Sequence, residues 1–298
     1  MRSASARRSA EAIAIGLALV ISASAVAASP SRIGVVAAEN FYGDIVGQLA
    51  GDRVALTSIL SNPTVDPHAY ETTARDAAAV ANARLVIQNG LGYDTFVDRL
   101  VAASPNPHRT LLVVARLTGR RSGDNPHLWY DPATMPALAR AVVEVLVRAD
   151  PAGAAFYRDR HRAVQASLRA LARTVGALKA RYAGTPVAAT EPVFTYMAQA
   201  IGLTILTPVA FQKTIEEGED PPAAATARME DQLRTHRVRL LLYNTQTVSP
   251  VTARMQQLAR EVGVPVVGVS ETEPPGRSFQ QWMLGQLEAV DAALARQK

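Results

Sequence analysis

A chain of 298 residues has room for two domains of ordinary size, and 48% hydrophobic with 19% charged residues is a globular composition, not a disordered one. The formal charge of +5 is modest and no aromatic-interleaved basic patch accompanies it, which leaves nucleic acid out as a partner. With no cysteine, a disulfide framework and a thiolate metal site are both excluded.

In chain order, Arg2, Arg7 and Arg8 precede an apolar run over 12–23, and Ala25-Val26-Ala27 offers a small-residue cleavage site. This pattern predicts a signal peptide over 1–27. Its removal takes away three arginines and Glu11, bringing the charge from +5 to +3. The cysteine that a lipoprotein needs at its cleavage point is missing, so the expectation is a soluble periplasmic protein. A first domain over 28–149 reads as alternating elements: strands at 33–37, 54–60, 85–88 and 111–115, and helices at 41–49, 73–82, 93–102 and 133–148. Asp150 and Pro151 then open a helix as N-cap and first residue. Val164, Leu168, Leu171, Val175, Leu178 and Tyr182 recur in steps of four and three, one stripe on one face, before Gly184 as the stop. This helix, placed over 150–183, would be roughly 48 Å long at about 1.5 Å per residue. The second domain, 184–298, resumes the alternation. Its strands are predicted at 186–189, 204–209, 239–243 and 264–269, and its helices at 193–201, 223–235, 251–262 and 279–296, with a charged loop over 211–222. Each half therefore reads as about four βα units, the pattern of an α/β fold with a mainly parallel sheet covered on both faces.

In such sheets ligands bind beyond the carboxyl ends of the strands, so residues that follow strands are the ones to weigh. His68 lies in Asp66-Pro67-His68-Ala69-Tyr70-Glu71 and His127 in Asn125-Pro126-His127-Leu128-Trp129-Tyr130-Asp131-Pro132. Neutral imidazole is a ready metal ligand near neutral pH. Asp131-Pro132 also reads as a helix start that would hold the turn before it. Glu191 follows the first strand of the second half, and Glu271 and Glu273 follow its last. Two imidazoles from one half and two carboxylates from the other would complete a site for zinc, manganese or ferrous iron. His108, His161 and His236 read as exposed or helix-end residues, and the run Glu216-Glu217-Gly218-Glu219-Asp220 reads as a solvated loop. No G-x-x-x-x-G-K, G-x-S-x-G or H-E-x-x-H is present, so the usual nucleotide, hydrolase and metalloprotease motifs are missing.

The two histidine motifs, together with Thr190-Glu191-Pro192-Val193-Phe194, Tyr243-Asn244-Thr245-Gln246 and the region from Pro265 to Trp282-Met283, resemble the zinc/manganese solute-binding proteins of ABC transporters. The resemblance runs through the mature chain. It implies two α/β lobes, each with a mainly parallel four-stranded sheet flanked by helices, joined by one long rigid helix, with one metal in the cleft. By position it implies His68, His127 and Glu191 as ligands, with Glu271 at the place of the fourth and Glu273 as the alternative. It further implies a monomeric receptor, not an enzyme, that passes a divalent cation (manganese or zinc, or iron) to a membrane permease, with no catalytic cofactor. A secreted metal-dependent hydrolase and a metal-independent adhesin are the competing classes.

Overall fold

A computed structural model describes residues 32–64 and 70–296. The predicted signal peptide and the loop residues Asp66, Pro67 and His68 lie outside the described residues. The first half comprises β1 (Ile33–Glu39), α1 (Asn40–Ala50), β2 (Val54–Leu60), α2 (Ala74–Asn82), β3 (Leu85–Gln88), α3 (Thr95–Ala103), β4 (Thr110–Val113), the single turn α4 (Val114–Leu117) and α5 (Thr134–Ala149). A 3-10 turn, Pro151–Gly153, leads into α6 (Ala154–Tyr182), which is 29 residues long. The second half comprises β5 (Pro186–Ala189), α7 (Thr195–Ile201), β6 (Thr204–Ile205), α8 (Val209–Glu216), α9 (Ala223–Arg234), β7 (Leu241–Asn244), α10 (Pro250–Glu261), β8 (Val266–Val269) and α11 (Phe279–Ala295). Among the described residues no helix is long and apolar enough to cross a membrane.

The two sheets are wholly parallel and share one order, β2-β1-β3-β4 and β6-β5-β7-β8. Their central strands carry runs such as Val35-Val36-Ala37-Ala38 and Leu85-Val86-Ile87, all buried, as strands covered on both faces require. In each sheet the chain leaves the first strand to one side and returns on the other. The crevices where a ligand would bind therefore open between β1 and β3, and between β5 and β7.

The predicted long helix is present, and its start follows from Asp150, whose carboxylate accepts from the Gly153 N–H at 3.0 Å. All six predicted stripe residues are buried, joined by Tyr157. The stripe packs on α1 and α5 of the first half and on α7 and α11 of the second, so one helix face serves both. Phe41 lies 4.6 Å from Trp129 and 5.9 Å from Trp282, ring to ring, and the core they form runs through both halves. A separate cluster around Phe211, Met229, Leu241 and Met255 covers the other face of the second sheet.

Several predicted boundaries shift by a residue or two, and three predicted segments need correction. The strand at 111–115 stops at Val113, where the chain turns into α4. The strand at 204–209 ends at Ile205, because Pro208 opens a helix instead of extending the ladder. The charged loop at 211–222 is in its first part that helix, α8, which buries Phe211 and Ile215, four residues apart, against α9. Its charged side masks the apolar pair in the sequence.

At the end of β1, Glu39 is 1% exposed, and its carboxyl lies against that of Asp94, with which it shares a proton-dependent hydrogen bond. Burial pushes this carboxyl well above the usual range, and the nearby charge of Asp94 adds to the effect. In the folded protein Glu39 keeps its proton at pH values where an unfolded glutamate has lost it, so stability falls as pH rises above about 4.3. Glu39→Gln should match the wild type near pH 4 and exceed it increasingly from pH 6 to 8. Urea unfolding across that range checks the sign, and a variant less stable at pH 8 would contradict it.

Candidate metal centre

The first half builds its side of the site from the turn after β3. Gly90, Leu91 and Gly92 take φ values of 86°, 58° and 86°, and a non-glycine residue such as Leu91 rarely adopts that region. Asp94 holds the turn by accepting from the N–H groups of Asn89 and Gly90 at 2.6 and 2.9 Å. The turn presents Tyr93, whose hydroxyl donates to Glu271 Oε2 of the second half at 2.9 Å. Asn89 Nδ2 donates to the Pro126 carbonyl at 2.9 Å and so fixes the residue before His127.

His127 is fully buried, with the Trp129 ring edge-on at 5.2 Å. Its Nδ1 lies 2.7 Å from Asn125 Oδ1, while Asn125 Nδ2 donates to the Pro192 carbonyl at 2.7 Å. A reversed amide would set two oxygens against each other at Pro192, so Asn125 is oriented as an acceptor toward the ring. An acceptor at that place calls for a proton on Nδ1 and leaves Nε2 as the ring nitrogen that faces Glu271. The helix predicted to begin at Asp131-Pro132 begins at Thr134. Asp131 still anchors the turn, accepting from the Ala133 N–H at 2.9 Å and pairing with Arg120 at 2.6 Å.

In the second half, Glu191 follows β5 and Glu271 follows β8, while Asn244 ends β7 between them. The Asn244 amide donates to Glu191 Oε2 at 3.0 Å and to Glu271 Oε1 at 2.6 Å, gathering both acids on one nitrogen. Gln246 accepts from the N–H groups of Glu271 and Thr272 at 2.6 and 2.9 Å and holds that loop in place. Burial pushes the Glu191 carboxyl up to about 8; the Asn244 hydrogen bond opposes the rise, and the charges of Glu271 and Glu216 add to it.

The halves meet where His127 Nε2 lies 3.3 Å from Glu271 Oε2. Of the four predicted site residues, the structure brings these two together, places Glu191 beside them through Asn244, and leaves His68 outside the described residues. Among the described residues no three His, Asp or Glu side chains are gathered tightly enough to hold a metal ion by themselves. Glu273 turns elsewhere: its backbone N–H and carbonyl bond the Asn40 side chain, and burial with the charge of Asp44 raises its carboxyl to about 9. His108 is exposed, His161 is half-buried beside Gln165, and His236 follows α9 at a φ of 51°. Sequence reading gave no role to Tyr93, Asn244 or Gln246. It also placed Glu216 on a solvated loop, whereas the residue ends α8 with its side chain 16% exposed, at the wall of a cavity of about 600 Å³.

The model of the family described as zinc-uptake complex component A, periplasmic (ZnuA), matches residues 35–293. The chain belongs to the ZnuA family. That family is one of periplasmic uptake components, not of enzymes. This ZnuA-family chain is 23% identical over 295 residues to the manganese ABC transporter substrate-binding lipoprotein PsaA of Streptococcus anginosus, covering 91% of this chain and 92% of the other. Its fold is similar to the periplasmic zinc-binding protein TroA of Treponema pallidum, with a TM-score of 0.74, 21% identity and coverage of 88% and 99%. It is also similar to the solute-binding protein FpvC of Pseudomonas aeruginosa in complex with Mn2+, with a TM-score of 0.72, 22% identity and coverage of 90% and 100%. These likenesses establish the two-lobed fold of the ZnuA-family chain.

Proposed function

We propose that this chain is a periplasmic receptor that captures divalent manganese or zinc between its two halves and delivers it to the permease of an ABC transporter. One observation carries the reading: a fully buried imidazole of one half faces a buried carboxylate of the other, with a second carboxylate gathered beside it. Acids so placed repel each other, and a cation would relieve that repulsion. His127 through Nε2, Glu191 and Glu271 would bind it, with His68 as the fourth ligand. The contact of Glu271 with His127 supports it over Glu273, whose carboxyl feels the charge of Asp44 instead. Nitrogen and oxygen donors of this kind suit zinc and manganese alike. The relatives' names support both metals. PsaA is named a lipoprotein; for this chain we propose signal cleavage and work in the periplasm as a monomer.

Proton release tests the reading. Glu191, raised to about 8, is mainly protonated at pH 7 and must ionise to bind the cation. Zinc or manganese titrated into metal-stripped protein at pH 7 should release about one proton from this group, with release fading by pH 9 and affinity falling as pH drops below 8. Calorimetry in buffers of different ionisation enthalpy reads this directly, and an enthalpy independent of buffer at pH 7 would remove Glu191 from the ligand set.

A further inference from the structure

The cleft beside His127 contains an acid that the proposed ligand set does not use. Glu216 ends α8 in the second half, and its Oε1 lies 3.7 Å from Nδ1 of His127 in the first. The imidazole side chain is fully buried and that of Glu216 is 16% exposed, so the two face each other largely out of water. The two ring nitrogens have different surroundings. Nε2 faces Glu271 Oε2 at 3.3 Å, and the Nδ1–H bonds Asn125 Oδ1 at 2.7 Å with the Glu216 carboxylate behind it. At 3.7 Å the carboxylate lies beyond a hydrogen bond, so Asn125 takes the bond and Glu216 contributes charge.

We propose that Glu216 is a positioning residue for metal capture: an acid of the second half that favours the Nδ1–H form of His127 and holds its Nε2 toward the cation. The inference rests on His127 being a ligand. Coordination through Nε2 withdraws electrons from the ring and makes the Nδ1–H more positive, which a carboxylate behind it stabilises. The ligand of one half is thereby set by an acid of the other. Withdrawal of α8 would leave His127 with Asn125 alone behind the ring, making it a weaker donor.

The neighbouring Glu217 supplies a matched control. Its side chain is 55% exposed and lies 3.7 Å from Lys213 Nζ, so Glu217→Gln removes the same charge without touching His127. Zinc and manganese should be titrated separately into metal-stripped wild type, Glu216→Gln, Glu216→Asp and Glu217→Gln. Long-range proton–nitrogen NMR of the His127 ring in the metal-free proteins reports the tautomer. Glu216→Gln is expected to weaken both metals about 10- to 100-fold, the range for residues that orient a ligand, with an unchanged unfolding midpoint and shifted ring nitrogens. Glu216→Asp, one methylene shorter, should fall between it and the wild type, and Glu217→Gln should change affinity less than about twofold, within the span of a weak surface charge. Equal losses in the two Gln variants would reduce Glu216 to general charge attraction and overturn the proposal. So would unchanged affinity in Glu216→Gln while the wild type binds. If Glu216→Gln fails to fold, wild-type affinity in Glu216→Asp overturns it instead. A wild type that binds neither metal removes the ligand reading itself, and unshifted ring nitrogens in metal-free Glu216→Gln then overturn the positioning contact separately.

Discussion

Replacing His127 with alanine should weaken zinc and manganese binding at least about 100-fold, near 2.8 kcal/mol, because no other described side chain presents a ring nitrogen to Glu271. His127 and Tyr93 are the residues of the first half that touch Glu271 of the second, and of the two only His127 offers a ring nitrogen. Its loss removes a proposed ligand and one of the contacts between the halves, while Tyr93 still bonds Glu271. The metal-free fold should lose about 1–3 kcal/mol, held to that range because Trp129 and Tyr130 still fill the core behind it. Thermal unfolding with and without metal separates the two effects. The wild type should gain a higher midpoint with metal, and His127→Ala should gain none. A metal-induced rise equal to that of the wild type would place the cation elsewhere.

The second large effect is expected at Asn244. One amide nitrogen bonds Glu191 and Glu271, so Asn244→Ala takes one hydrogen bond from each buried acid and leaves Glu191 Oε2 the longer one from Thr247 at 3.3 Å. Hydrogen bonds to charged groups contribute about 1.5–3 kcal/mol each, and the protonation of Glu191 moderates one of them, so a loss of about 2–4 kcal/mol is expected in the metal-free protein. Metal affinity should fall about 10- to 100-fold, because the carboxylates are no longer held side by side. Asn244→Asp should be worse still without metal, since it replaces the donor by a third acid, and metal should restore part of its stability. Chemical unfolding of the three proteins in both states decides this, and an Asn244→Ala variant as stable as the wild type would show the acids to be held by other means.

The fold was legible where periodicity had one interpretation. The stripe from Val164 to Tyr182 repeats every three or four residues, and burial follows it residue by residue. The segments 54–60, 85–88 and 186–189 are short stretches rich in Val, Leu, Ile and Ala, and they are strands at those bounds. The failures cluster at α8. There a helix of eight residues follows Pro208, and its two buried apolar residues, Phe211 and Ile215, are set among Gln212, Lys213, Thr214 and Glu216, so the polar residues concealed a buried face. Glu216 was lost with it.

Of the site, the residues carried by motifs were legible as candidates, and Glu191 and Glu271 could be named because they follow strands. What remained hidden was the set of groups that act through a neighbour. Asn244 bonds acids 53 and 27 residues away, and Tyr93 bonds one 178 residues away. Such partnerships are created by strand order, which puts β7 beside β5 and β8, and not by spacing along the chain. The proposed preference for Glu271 over Glu273 likewise draws on the fold, since the Glu271 carboxylate accepts from Tyr93 while the Glu273 backbone bonds Asn40 and its carboxyl feels the charge of Asp44.

The most direct test of the central claim is X-ray absorption at the zinc edge of the protein loaded with one equivalent of Zn2+. Two imidazoles and two carboxylates predict a first shell of nitrogen and oxygen near 2.0–2.1 Å, with the outer-shell scattering of two imidazole rings. A first shell of oxygen alone, without imidazole scattering, would contradict a metal held between His68 and His127 on one side and Glu191 and Glu271 on the other.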